Sequence, residues 1–283
     1  MVSVPGTPEV TYVTGYWMLP SNAKNPVEHY QKLIPQSMEM IAGRKLILYF
    51  DDAQTEAMFA EACEALDVRL QTVRVSVEAL PAYRHADAFA DGCRSMRREE
   101  FDRTPLRWLE KGLIHYRRDF MGAGEEVYRR LITIWMSKVA LTSQAASGGG
   151  DATYFAWMDA SVARFSGRRT NWNFPVQTFA PRALNHYAST MSYRGERLPL
   201  NASFMLGTPE VWAAVSLAFD AWLQASLSDA YAHDEETILG LVHRDRPELF
   251  HTLGVPLALI GPKPSAGRRL IRALRRRLGG VPG

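Results

Sequence analysis

Lys45-Leu46-Ile47-Leu48-Tyr49-Phe50-Asp51-Asp52 is a short continuous apolar run, bounded by Gly43 before it and by two acids after it. A run of this length and composition suits a strand buried on both faces of a parallel sheet. Outward from it, Thr55 to Leu66 has a good helical pattern, and Val68 to Val77 returns to strand character. Upstream, Val10 to Trp17 is rich in β-branched and aromatic residues and reads as a first strand. Asn25-Pro26 punctuates the chain, and Val27 to Met40 reads as a helix with Tyr30, Leu33 and Ile34 as apolar positions. The first third therefore alternates strand, helix, strand, helix, strand, the order of a doubly wound α/β sheet.

Further along, residues 82–120 are Arg-rich, aromatic and mostly helical in propensity. Glu125 to Leu141 is a helix, with Val127, Leu131, Ile134, Trp135 and Lys138 at helical spacing, and Ser147-Gly148-Gly149-Gly150 breaks it. Thr153 to Met158 is a strand that ends at Asp159. Residues 165–182, with Gly167, Pro175 and Pro181, are irregular. Leu200 to Leu206 is a short strand, and Pro209 to Leu227 and Asp234 to Val242 are helices. Gly261-Pro262-Lys263-Pro264 precedes a basic helix from Ala266 to Leu278. We divide the chain into one α/β domain over residues 1–264 and a basic tail over 265–283.

Of 283 residues, 47% are hydrophobic and 22% charged, which fits a globular protein with a sizeable core rather than a disordered chain. A net charge of only +3 gives no reason to expect a nucleic-acid partner. The two cysteines, Cys63 and Cys93, make neither a disulfide framework nor a zinc site and are expected to be reduced. No segment reaches the roughly 20 apolar residues of a bilayer-spanning helix, and no secretory signal is expected.

The turn Trp157-Met158-Asp159-Ala160-Ser161 is the most informative motif. Ligands of open α/β sheets bind beyond the carboxyl ends of the strands, so an acid there faces the crevice. Asp159 can ligate Mn²⁺ or Mg²⁺, hard cations that prefer oxygen, and such a metal would neutralise a diphosphate leaving group. Equally, Asp159 can cap a following helix that begins Asp-Ala-Ser-Val-Ala-Arg.

Several segments together resemble the bacterial HtrL/YibB-like proteins. They are Val13-Thr14-Gly15-Tyr16-Trp17, Asn25-Pro26 with His29-Tyr30 and Leu33-Ile34-Pro35, Leu48-Tyr49-Phe50-Asp51, and Trp135-Met136-Ser137-Lys138. Phe155-Ala156-Trp157-Met158-Asp159-Ala160, Asn201 to Gly207 and His233-Asp234-Glu235-Glu236-Thr237 complete the set, over roughly residues 10 to 255. That family resembles glycosyltransferases of the GT-A type. The resemblance implies a single GT-A-like domain with a mostly parallel sheet flanked by helices, a nucleotide-sugar donor with UDP as nucleotide, and hexosyl transfer with a divalent metal. The acceptor it implies is an envelope glycan or a lipid-linked sugar. Asp-Ala-Ser stands where Asp-x-Asp is familiar, which leaves one obvious carboxylate for a metal.

The same resemblance assigns Thr14, Gly15 and Tyr16 to the donor nucleotide, with Gly15 giving close backbone approach and Tyr16 stacking on the base. The alternative is an ordinary strand end. Lys138, on an otherwise apolar helix, needs an anion partner such as a diphosphate, or else snorkels to water. Trp157, Asn201 and Ser203 are candidates for sugar or acceptor contacts, the latter two otherwise satisfying a turn. Asp234 and Glu235 are candidates for the catalytic base of an inverting transfer; acids at a helix N-terminus also complement its dipole without chemistry. His251 is a candidate late metal ligand and Lys263 a candidate diphosphate contact.

In the tail, Arg268, Arg269, Arg272, Arg275, Arg276 and Arg277 surround Leu270, Ile271, Leu274 and Leu278. This pattern fits a helix lying on an anionic membrane surface, or a solvated basic tail. The resulting expectation is a cytoplasmic transferase, peripheral on the inner face of the membrane. Two rivals stand beside it. A sugar nucleotidyltransferase usually has a Gly-rich basic loop, which residues 13–17 lack. A catalytically inactive glycan-binding or scaffold protein would account for the missing second Asp.

Overall fold

The computed structural model describes residues 9–19, 27–96, 110–148, 152–165 and 180–256. Strand β1 (Val10–Gly15) is followed by helix α1 (Val27–Glu39), strand β2 (Lys45–Phe50), helix α2 (Ala53–Glu64) and strand β3 (Arg69–Arg74). The expected strand–helix alternation is thus observed, and β2 has the expected bounds. Asp51-Asp52 ends β2 because Asp52 caps α2: its carboxylate accepts from the Thr55 amide at 2.8 Å and from the Thr55 hydroxyl at 2.6 Å.

Next come α3 (Ala86–Ser95), α4 (Lys111–His115) running into a π-helical turn (Tyr116–Ala123), and the long α5 (Glu125–Ser147). Strand β4 (Tyr154–Met158), strand β5 (Leu184–Ala188), a hairpin of β6 (Ser192–Tyr193) and β7 (Glu196–Arg197), and β8 (Asn201–Gly207) follow. Helices α6 (Pro209–Ala225) and α7 (Glu235–Asp245) precede β9 (Phe250–Pro256). The 165–182 segment falls mostly, and Lys263 and the 265–283 tail wholly, outside the described residues.

Among the described residues the sheet has seven strands in the order β3-β2-β1-β4-β8-β5-β9. Only β8 runs against its neighbours, pairing antiparallel with β4 and β5. The remaining pairs are parallel. The fold is therefore the expected α/β class with a mostly parallel central sheet flanked by helices, although the reversed β8 makes the second half a mixed sheet.

Alternation along the strands splits the core in two. Val13, Ile47, Tyr49, Phe155 and Trp157 face the layer of α3, α5, α6 and α7. Tyr12, Leu46, Leu48, Phe50, Ala156 and Met158 face α1 and α2. Central strands covered on both sides must be apolar at every position, which is why β2 and β4 read so plainly in the sequence. β5 does not, because Asn185 and His186 are buried polar residues. Asn185 donates to the carbonyls of Ala180, Ala183 and Leu206, so its amide is consumed by the backbone.

Burial depresses His186 and His233 to about 4, where the unfolded chain titrates near 6.5. A lowered histidine stabilises the fold fully above the unfolded value and loses that contribution as pH falls towards the folded value. Asp119, Asp159 and Asp234 are likewise lowered, so their contribution is lost only at still more acid pH. Urea unfolding should therefore show stability falling by about 2 kcal/mol between about pH 7 and pH 5.5, as two histidines each protonate preferentially in the unfolded state. A flat profile over that window would show that neither histidine is held neutral.

Candidate functional site

A cleft lies at the carboxyl ends of β1 and β4, where open α/β sheets place their ligands. Gly15, Trp17, Trp157 and Asp159 line it from the strand ends; Leu131, Ile134, Trp135 and Lys138 line it from α5; Arg164 closes one side. Spacings of three and four residues put the four α5 residues on one helical face.

Lys138 is 5% exposed and does not snorkel. Its ammonium lies 2.9 Å from Asp159 Oδ1 and donates to Glu235 Oε1 at 2.5 Å. It also sits 5.8 Å from the centre of the Trp157 ring, within cation–π range. Burial disfavours the lysine's charge, but Asp159 and Glu235 outweigh it and raise its pKa above the ordinary value. Asp159 is the mirror case: burial favours protonation, and Lys138 and Arg164 hold its carboxyl well below the usual range. Asp159 Oδ1 also accepts from Trp157 Nε1 at 3.0 Å, and Oδ2 lies 2.9 Å from Arg164 Nη2. Asp159 thus meets two cations, and its side chain does not cap the turn that follows.

Arg164 was not legible as a site residue. It is seated by Ser161, whose hydroxyl and carbonyl accept from Nη1 at 2.6 and 3.1 Å. Its Nη2 also donates to Ser203 Oγ at 2.8 Å. Its position five residues after Asp159 was the one available signal, because the tight turn over residues 159–165 folds it back on the acid.

Behind Lys138, the acids at the start of α7 are all buried and separately engaged. Asp234, 1% exposed, caps α7 by accepting from the Glu236 amide at 2.9 Å. It also meets His115 Nε2 at 2.9 Å and Lys111 Nζ at 3.2 Å. Burial favours its protonation, but Lys111 and His115 hold its pKa below the ordinary value. A capped, cation-bound carboxylate is a weak base, so Asp234, expected as a catalytic base, serves here to fix α7. Glu236 accepts from the Ser189 hydroxyl at 2.9 Å and the Ala202 amide at 3.2 Å. Glu235 contacts Lys138 through Oε1 while its buried Oε2 has no hydrogen-bond partner among the described residues. Glu235 therefore stands behind Lys138 in the site's support. Lys111 and His115 were missed in the sequence because they lie far along the chain; His115 and Asp234 are 119 positions apart.

The other candidates divide. Gly15 lines the cleft, but a side chain added there would meet the Trp17 ring at 2.5 Å. Trp17 is pinned by its indole N–H donating to the Val75 carbonyl at 2.9 Å. The close approach expected at Gly15 is thus made by the protein's own indole. Tyr16, 6% exposed, lines the cleft together with Tyr30, the two rings tilted at 48° with centres 4.9 Å apart. Thr14 is fully buried in β1 and does not line the cleft. Trp157 is 1% exposed and forms the cleft wall. Asn201 accepts from the Ser203 amide at 3.0 Å, the turn-satisfying role, whereas Ser203 reaches the site through Arg164.

His251 does not come to Asp159. It is exposed on the edge strand β9, in register with Asn185 of β5, with β5 and β8 lying between it and β4. Among the described residues no group of three His, Cys, Asp or Glu side chains could hold a metal ion. Asp159, flanked by two cations, does not fit a divalent site. The expected Mn²⁺ or Mg²⁺ centre at Asp159 and His251 is not assembled by these residues.

No family model matches the chain, and no curated protein matches it. Among solved structures, it is similar to core-mannan synthase A (CmsA/Ktr4) from Aspergillus fumigatus in its Mn/GDP form. The identity is 8% and the TM-score 0.47, over 89% of this chain and 74% of that one. So distant a likeness assigns neither activity nor substrate.

Removing the Lys138 charge strands the buried Glu235 carboxylate and leaves Asp159 with Arg164 as its remaining cation. Lys138→Met should cost about 3 kcal/mol in urea unfolding, the range for breaking a buried ion pair. Adding Glu235→Gln should return a third or more of that loss, because it removes the stranded charge. Additive losses in the double variant would show that the pair is not coupled.

Proposed function

We propose that the chain is a glycosyltransferase that uses a nucleotide-sugar donor, with the donor diphosphate in the cleft beside Asp159. The observation that supports this reading is the pair Lys138 and Arg164, set around one carboxylate at the carboxyl ends of β1 and β4 and walled by Trp17, Trp135 and Trp157. A nucleoside diphosphate has the matching chemistry: a compact dianion for the cations and a flat base for an aromatic wall. The strand–helix order and the segment resemblance to HtrL/YibB-like proteins point the same way. UDP is the nucleotide proposed, on the resemblance alone. Hexosyl transfer to an envelope glycan or lipid-linked acceptor, from a cytoplasmic position on the inner face of the membrane, completes the reading. No described helix is long and apolar enough to cross a membrane.

The sugar nucleotidyltransferase and the inactive glycan-binding scaffold remain the competing readings, and one experiment separates them. Thermal shifts with UDP and GDP should raise Tm by a few degrees at about 100 times Kd, where ligand linkage contributes about 2.7 kcal/mol. Lys138→Met should abolish the shift. Preference for a nucleoside triphosphate would favour the nucleotidyltransferase, and no response to any nucleotide would favour the scaffold.

In this proposal the arginine-rich and leucine-containing tail sequence, residues 265–283, contacts the anionic membrane surface. The 283-residue chain should co-sediment with phosphatidylserine-containing vesicles more strongly than a 1–265 truncation. Equal sedimentation would remove the tail from the proposal.

A further inference from the structure

Among the described residues, the charged groups that line the cleft are Lys138, Arg164 and Asp159, two cations against one anion. Glu235 stands behind Lys138 and offsets part of its charge, while among the described residues Asp159 is the one carboxylate that Arg164 meets. A divalent cation placed at Asp159 would lie next to an ammonium and a guanidinium, each 2.9 Å from the carboxylate it needs. Coulomb repulsion from two charges at that range opposes binding in a partly desolvated site. An anion at the same place gains from both.

The hydrogen-bond inventory agrees. Asp159 already spends one oxygen on Lys138 and Trp157 and the other on Arg164. A carboxylate has about four acceptor positions, so little donor capacity is left for a metal. Two oxygens bridging an ammonium and a guanidinium are also what one phosphate group presents. Arg164 is 29% exposed, so its outer edge can turn to a ligand, while Ser161 and Ser203 keep the guanidinium in place.

We infer that Lys138 and Arg164 bind the diphosphate directly, and that Asp159 is their internal counter-anion rather than a metal ligand. The assignment rests on the nucleotide-sugar reading above. When the diphosphate enters, Arg164 Nη2 exchanges the Asp159 carboxylate for a phosphate oxygen, and Asp159 remains paired with Lys138. No covalent bond changes in this step. The leaving diphosphate is then stabilised by fixed side-chain charge.

The sign of one substitution separates this arrangement from a metal site. In Asp159→Asn the competing carboxylate charge is gone and its shape is kept. Isothermal titration of the full chain with UDP and GDP in EDTA, and again with Mn²⁺, reads the difference. The wild-type Kd in EDTA should lie within about threefold of that in Mn²⁺, and Asp159→Asn should bind about threefold tighter or better, as expected when a buried competing charge is removed. Arg164→Gln should weaken binding about tenfold or more. Circular dichroism of each variant checks folding, and the wild-type comparison with and without Mn²⁺ needs no variant at all. Binding that requires Mn²⁺ and is lost in Asp159→Asn would overturn the direct contact while leaving the nucleotide reading intact. Absence of nucleotide binding under both conditions would overturn that reading itself, and this assignment with it.

Discussion

The Lys138 ammonium, shared between Asp159 and Glu235, ties three separate parts of the chain together. α5 carries the lysine, the turn after β4 carries Asp159, and the first turn of α7 carries Glu235. None of these charges is stable in the core alone, because desolvating an unpaired ion costs several kcal/mol. Folding therefore has to bring all three together. The same demand recurs one layer further in, where Lys111 meets Asp234 and Glu236, and His115 bridges Asp119 and Asp234. Three consecutive acids at one helix start are tolerated because each is compensated: Lys111 serves Asp234 and Glu236 together, His115 also meets Asp234, Ser189 and the Ala202 amide also meet Glu236, and Lys138 meets Glu235.

This construction links packing to function. Buried ion pairs add little net stability relative to apolar packing, but they fix geometry. Here they hold α5 and α7 to the carboxyl ends of the strands, so the cleft is walled by side chains that cannot drift. Trp17 and Trp157 add rigidity: the first is pinned to Val75 and the second donates to Asp159. The outcome is a preorganised, aromatic-walled cleft with two cations set around one carboxylate, the arrangement on which the proposed diphosphate site rests.

The central strands were readable because they are buried on both faces; β2 spans residues 45–50 as its apolar run implies. The helix α5 was readable from its spacing, though its end lies at Ser147 rather than Leu141, since Thr142 and Ala146 are still buried in the core. β5 was hidden by buried Asn185 and His186, and β9 by its Gly254 and Pro256, residues poor in strand preference. At the site, the sequence identified Lys138, Asp159 and Glu235 as charges needing a reason, and the fold makes them one cluster. It could not pair them, because Lys138 and Glu235 are 97 positions apart. Gly15 and Tyr16 do line the cleft, with Trp17 and Tyr30 packed beside them, whereas His251 was assigned to a site that the sheet order keeps it from reaching.

The central claim is that the cleft between β1, β4 and α5 receives a nucleoside diphosphate. Indole N–H resonances of ¹⁵N-labelled protein test it most directly, because Trp17, Trp135 and Trp157 line the cleft while Trp212 and Trp222 lie on α6 away from it. Titration with UDP should shift the three cleft indoles along one saturable curve and leave the α6 pair unmoved. Saturable shifts confined to Trp212 or Trp222, or no shift in any indole, would contradict the account.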